Sequence, residues 1–233
     1  MNRLAWLAVA VALTVIVAVQ VTQSAQRSSR FVAEAGTPTL AAGIDVLGGI
    51  PEIPVRLRGN DYRRAAFGEA WDDDNGAPGG HNGCDTRNDI LNRDLADKTY
   101  VAIKRCPTAV ATGTLHDPYT NSVVAFVRGN QVGASVQIDH IVPLALAWDL
   151  GARDWTDDMR LRFANDPANL LAVQGRANQD KSDQEPAHWM PPNHAFWCQY
   201  AVAFVAVLRG YGLPVDAPSA AVLREAAGTC PTG

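Results

Sequence analysis

Gln137-Ile138-Asp139-His140-Ile141-Val142-Pro143-Leu144 is an apolar run with two polar residues side by side in its middle. The stretch Val136 to Val142 otherwise has the β-branched content of a buried strand. A carboxylate left unpaired in such a strand is costly, so Asp139 requires a partner, and a divalent cation is one natural choice. Adjacent strand residues point to opposite faces, so Asp139 and His140 serve one site only near a strand end or a bulge. Pro143 places a strand end there. Taken alone, the pair has a plain default reading, a surface aspartate beside a core histidine bonded to backbone.

Working outward, Ala145 to Phe163 reads as helix, broken near Gly151. Asn169 to Val173 is a short apolar strand, and from Gln174 the pattern turns helical until Pro186, carrying Asn178 and Lys181. Upstream, Tyr62 to Phe67 is a short helix and Thr86 to Leu95 another. Tyr100 to Lys104 and Val123 to Val127 are strands, with a turn at Asp117 to Asn121. Asp72 to Gly83 (DDDNGAPGGHNG) is a turn-rich loop. Its three aspartates lack the later ligands of an EF-hand, so a solvated loop is expected rather than a calcium site. Phe196, Tyr200, Phe204 and Leu208 recur at i, i+4, the core face of an amphipathic helix. Strands and helices are mixed, which makes the expected class α+β.

The pattern Asp139-His140-Ile141-Val142-Pro143, then Asn169 opening a strand, then Asn178-x-x-Lys181-Ser182-Asp183 on a helix resembles the HNH nuclease motif. More closely, the chain resembles exported actinobacterial HNH-family proteins related to the C-terminal nuclease domain of GmrSD-type modification-dependent restriction enzymes. The matching pieces are Gly83-Cys84-Asp85-Thr86-Arg87-Asn88, Asp117-Pro118-Tyr119-Thr120, Asp139 to Leu144, Phe163 to Pro167, and Asn178 to Pro192, spread over roughly 60–230. The resemblance implies a ββα-metal core at about 136–187, within a single nuclease domain spanning 56–233.

It also implies roles. His140 is the general base. Asp139 and Asn178 hold one divalent cation, Mg²⁺ or alternatively Mn²⁺. Asn169 holds the loop that carries His140, and as a strand-start residue it suits that task. Lys181 contacts phosphate, or is a solvated helix lysine. Arg87 reaches a phosphate bidentately, or sits in a structural ion pair. The implied substrate is nucleic acid, DNA before RNA. Asn178 stands where the motif has its final histidine; a neutral amide disfavours zinc and nickel. His81, His116, His188 and His194 receive no role.

Arg3 precedes sixteen apolar residues, Leu4 to Val19, followed by a polar stretch. That is short for a spanning helix and suits a signal peptide or an uncleaved signal anchor over 1–25. Either way the remainder faces outward, secreted or held on the outer face of the membrane. Residues 26–55, rich in Ala, Gly, Thr and Ser, are expected to be a linker. An exported chain permits disulfides. Of the three pairings open to Cys84, Cys106, Cys198 and Cys230, Cys84–Cys106 and Cys198–Cys230 each bracket a local segment and are favoured. No Cys/His spacing suggests structural zinc.

The formal net charge is −4 over 233 residues, which argues against a surface that grips nucleic acid everywhere. A local basic patch remains compatible with an enzyme. Besides the endonuclease, two readings therefore stay open: an inactive extracellular nucleic-acid-binding or envelope-associated module of the same fold, and a phosphodiesterase of small substrates.

Overall fold

Leu47 and Ile50 are both buried in the main core, and Leu40, Val46 and Ile53 pack against it. The computed structural model describes residues 37–129 and 135–233, so the export segment expected at 1–25 lies outside the described residues. From Leu40 onward the stretch expected as linker is part of the folded unit Pro38–Gly233. Leu40 bridges to Thr232, and β1 (Glu52–Ile53) pairs in parallel with Val215–Asp216 near the C-terminus. The folded region thus begins well before residue 56.

Asp85 decides where the first helix starts. Its side chain accepts from Asn88 N at 2.8 Å, satisfying a donor that the first turn leaves without a partner. Helix α1 then runs Thr86–Asp94, burying Ile90 and Leu91. Strands β2 (Ala96–Ile103), β3 (Cys106–His116) and β4 (Val123–Val127) follow as an antiparallel sheet in the order β2-β3-β4. β3 is not visible as a strand in the sequence pattern: its residues Pro107 to Gly113 are mostly small, and their burial does not alternate. Lys104 takes a left-handed φ of 51° in the tight turn between β2 and β3. The disulfide Cys84–Cys106 fastens the start of α1 to the start of β3 across 22 residues.

The second sheet is separate. β5 (Val136–His140) is followed by α2 (Leu144–Asp149), a 3-10 turn at Ala152–Asp154, α3 (Asp157–Asn165) and β6 (Leu170–Gln174). β5 and β6 pair antiparallel from Val136↔Gln174 to His140↔Leu170. The chain then enters α4 (Gly175–Lys181) directly, completing a strand–strand–helix unit. α4 ends earlier than the helical pattern up to Pro186 suggested. Ser182, at φ 51°, turns the chain away and donates its N–H to Asn178 O at 2.9 Å.

α5 (Trp197–Tyr211), β7 (Val215–Asp216) and α6 (Ala217–Ala227) close the fold. Tyr200, Phe204 and Leu208 of α5 are all buried in the larger core. Cys198–Cys230 joins α5 to the chain end across 32 residues. Both disulfides follow the local pairing. In the chain-entropy view, loops of these lengths each stabilise the fold by about 3–4 kcal/mol.

One buried ion cluster fixes the N-terminal segment beside the strand–strand–helix unit. Arg56, its side chain 2% exposed, meets Asp149 at 2.8 Å, Glu185 at 2.7 Å and Asp183 at 3.1 Å. Burial pushes the Glu185 carboxyl up, but hydrogen bonds and charge from Arg56, with Arg58 adding to them, outweigh it and hold the group below its ordinary value of 4.5. A carboxyl with a depressed folded pKa contributes stability above its unfolded value and loses it as pH falls through the folded one. The stability gap between wild type and Glu185→Gln, measured by urea unfolding, should therefore be widest near neutrality and close as pH falls below 4.5. A gap that ignores pH, or widens in acid, would contradict this account.

Candidate active site

Strand period and helix period meet at α4. Gln137 and Asp139 lie on one face of β5 because they are two residues apart. Asn178 and Lys181 lie on one face of α4 because they are three apart. The result is two rungs: Asn178 Nδ2 donates to Gln137 Oε1 at 2.9 Å, and Lys181 Nζ lies 3.0 Å from each Asp139 oxygen. Lys181 also donates to His140 O at 2.8 Å, and Tyr119 OH donates to Asp139 Oδ2 at 2.5 Å.

Lys181 was expected at a phosphate or in solvent. Instead its side chain is 0% exposed, so it meets no solvent or substrate in this conformation. Its partner is Asp139, which has the same cause: a carboxylate inside an apolar strand must be neutralised where it stands. Burial raises the Asp139 carboxyl, with Lys181 and Tyr119 opposing. Burial likewise lowers the Lys181 ammonium, with Asp139 opposing.

β5 ends at His140, which allows both neighbours to reach one cleft of about 630 Å³. Trp71, Arg87, Asn178 and Asp183 are among its other walls. His140 is held on two sides. Nε2 bonds Ala164 O at 2.9 Å, and Trp71 stacks on the ring at 5.6 Å with planes 12° apart. Because a carbonyl only accepts, Nε2 carries the proton and Nδ1 keeps the lone pair. Burial, aided by the charges of Arg64 and Lys181 and opposed by the bond to Ala164, lowers the imidazole pKa to about 3. The ring is therefore neutral at pH 7.

Asn169 is fully buried and locks the chain leaving β5. Its Oδ1 accepts from Val142 N at 2.8 Å, its Nδ2 donates to Val142 O at 3.2 Å, and its own carbonyl accepts from Ile141 N at 2.8 Å. Arg87 lies at the cleft wall, half-buried, donating to Val136 O at 3.1 Å. Tyr119, Trp71, Gln137 and Arg64 were not singled out from sequence. Tyr119 stood inside the quoted Asp117-Pro118-Tyr119-Thr120 without a role. Asp117 in that turn accepts from Gln174 N at 2.8 Å, which ties the β3–β4 turn to β6 and brings Tyr119 to Asp139.

Residues 85–224 match the family described as GmrSD restriction endonucleases, C-terminal domain, more than half of the chain. The chain belongs to this family. An uncharacterized secreted protein of Arthroderma benhamiae is 36% identical over 149 residues, 63% of this chain and 68% of the relative. No solved structure matches. HNH endonucleases, the type to which this family domain is related, generally use divalent metals. The donor set fits one hard cation. Asp139 Oδ1 takes one side-chain hydrogen bond, from Lys181, whereas Oδ2 takes Tyr119 and also lies 3.0 Å from Lys181; the Gln137 contact leaves Asn178 Oδ1 as the amide's open acceptor. Among the described residues no three His, Cys, Asp or Glu side chains cluster as a metal cage, so water and substrate oxygens would complete such a shell.

Removing one partner of the buried pair strands the other. Lys181→Met should cost about 3–5 kcal/mol of unfolding free energy, whereas Lys181→Met/Asp139→Asn should recover much of that loss. Chemical denaturation of the two variants measures this, and simple additivity would refute the pairing as the source of the cost.

Proposed function

We propose that this chain is an exported endonuclease that hydrolyses phosphodiester bonds of nucleic acid, DNA in the first instance, with His140 as the general base. The observation carrying this reading is the state of His140. Its ring is fixed by Ala164 O and Trp71, its Nδ1 is unprotonated, and it shares a cleft with the oxygen donors Asp139 and Asn178.

In this reading water attacks phosphorus while Nδ1 of His140 takes its proton, and the bond to the departing sugar oxygen breaks. The Nε2 bond to Ala164 keeps the imidazole in the competent tautomer and spreads the positive charge it gains. Asn169 acts at one remove by fixing Ile141 and Val142, so that His140 is presented at the strand end. Lys181 and Tyr119 hold Asp139 in place, Lys181 against both carboxylate oxygens and Tyr119 on Oδ2. Asp139 and Asn178 would hold a Mg²⁺ or Mn²⁺ ion, which would supply charge stabilisation at the scissile phosphate and leaving oxygen. Export is supported by the two disulfides and by the name of the Arthroderma relative, a secreted protein.

Plasmid nicking with Mg²⁺ tests the reading. His140→Ala should reduce the rate by about 100-fold or more, the usual worth of a positioned base, while its far-ultraviolet circular dichroism stays that of the wild type. Purified protein that leaves DNA and RNA intact in Mg²⁺, Mn²⁺ and Ca²⁺ would remove the nuclease reading. A folded His140→Ala variant that nicks at the wild-type rate would remove His140 as the base.

A further inference from the structure

The matched family span starts at residue 85, yet Tyr62, Arg64 and Trp71 wall the cleft from ahead of it. Arg64 and His140 also line a second, small recess with Trp71 and Glu69, and Glu69 forms no ion pair with Arg64 among the described residues. The 3-10 turn carrying Arg64 (Arg64–Phe67) is firmly seated. Phe67 is 2% exposed and packs on Trp148 and Phe163 with ring centroids at 6.1 and 6.2 Å. Arg160 Nε donates to Ala66 O at 2.9 Å. Arg64 is thus an exposed cation delivered to the reaction centre by a rigid base.

Its charge is not neutralised there. Among the described residues Arg64 forms no ion pair; its polar neighbour is the Tyr62 hydroxyl. The carboxylates of the cleft are already engaged, Asp139 by Lys181 and Asp183 by Arg56 and Arg58. A chain of net charge −4 therefore keeps an unmatched guanidinium beside His140. Low-dielectric walls focus such a charge toward anions, and the planar fork of arginine matches two oxygens of one phosphate.

We propose that Arg64 is a substrate-contacting residue that binds a backbone phosphate of the nucleic acid next to the scissile one, so that the segment ahead of the family domain is a working wall of its active site. This rests on the nuclease reading above.

The experiment compares Arg64→Ala with Arg63→Ala, an exposed neighbour that does not line the cleft. Both carry the same net charge. Binding of a short labelled DNA duplex is measured in the non-cleaving His140→Ala background across a salt series. Arg64→Ala should weaken binding about tenfold, the worth of one charged hydrogen-bonded contact. The slope of log K against log salt should shrink by about 0.9, one phosphate fewer. In the cleaving protein Arg64→Ala should raise KM or lower kcat/KM, and Arg64→Lys should restore part of the loss. Arg63→Ala should leave binding near that of the parent. If the two alanine variants behave alike while the wild type cleaves, the Arg64 assignment falls and the nuclease reading stands. If the wild type neither binds nor cleaves nucleic acid, both fall.

Discussion

Everything at the site depends on one buried ion pair. Asp139 sits in an apolar strand, where it is tolerated only because Lys181 reaches it from α4 and Tyr119 from the β3–β4 turn. That requirement fixes geometry as well as charge. Lys181 can lie at 3.0 Å from Asp139 and bond His140 O only if α4 packs on β5 in a single register. The same register puts Asn178 opposite Gln137. Shifting the helix by one residue would bury a lysine without a partner, which is far more costly than any gain in packing. The cleft is thus a by-product of neutralising a carboxylate: the pair sets strand against helix, and the strand end presents His140.

Charge balance explains how an acidic protein can present a site for a polyanion. Most acidic groups near the cleft are already committed to cations. Arg56 alone takes Asp149, Asp183 and Glu185, and Arg58 shares two of these. The overall charge of −4 is consequently a property of the whole surface and says little about the cleft. Net charge governs long-range steering, whereas the fixed charges within a few ångströms decide what a concave site accepts.

Legibility from sequence followed how local each constraint is. Asp139 and His140 stood out because polar residues in an apolar strand violate its pattern, and the strand–strand–helix order was readable from periodicity. Asn169 was assigned by the family resemblance, with which its position at a strand start agrees, and the cysteine pairs by the short segments they bracket. Lys181 was read toward phosphate because helical spacing gives a face but not what covers that face; only the fold shows Asp139 waiting there. Tyr119, Trp71 and Arg64 come to the site across many residues, through packing that leaves no periodic trace. β3 and α6 escaped notice for a related reason. The first is built of small residues without alternation, and the second buries mostly alanines, Ala220, Ala226 and Ala227, with Leu223. The N-terminal stretch shows the same limit: Leu47 and Ile50, with Leu40, Val46 and Ile53 packed against the same core, draw a supposed linker into the fold.

Trp71 shows what such non-local placement demands of the backbone. It holds φ at 63°, a conformation that costs a bulky L-residue about 1–2 kcal/mol. Three contacts offset this. Its carbonyl accepts from Thr86 N at 3.2 Å, its ring stacks on His140, and its side chain packs against the smaller core of α1, β3, β5 and β6. Thr86 is the first residue of α1, whose start is anchored by the Asp85 cap and the neighbouring Cys84–Cys106 bridge. The rigidity of the imidazole therefore traces back through a strained tryptophan to a capped helix and a disulfide. Strain of this kind persists where surrounding structure over-determines it. Here the strained residue belongs to the segment ahead of the matched span and its partners to that span, so the site draws on both.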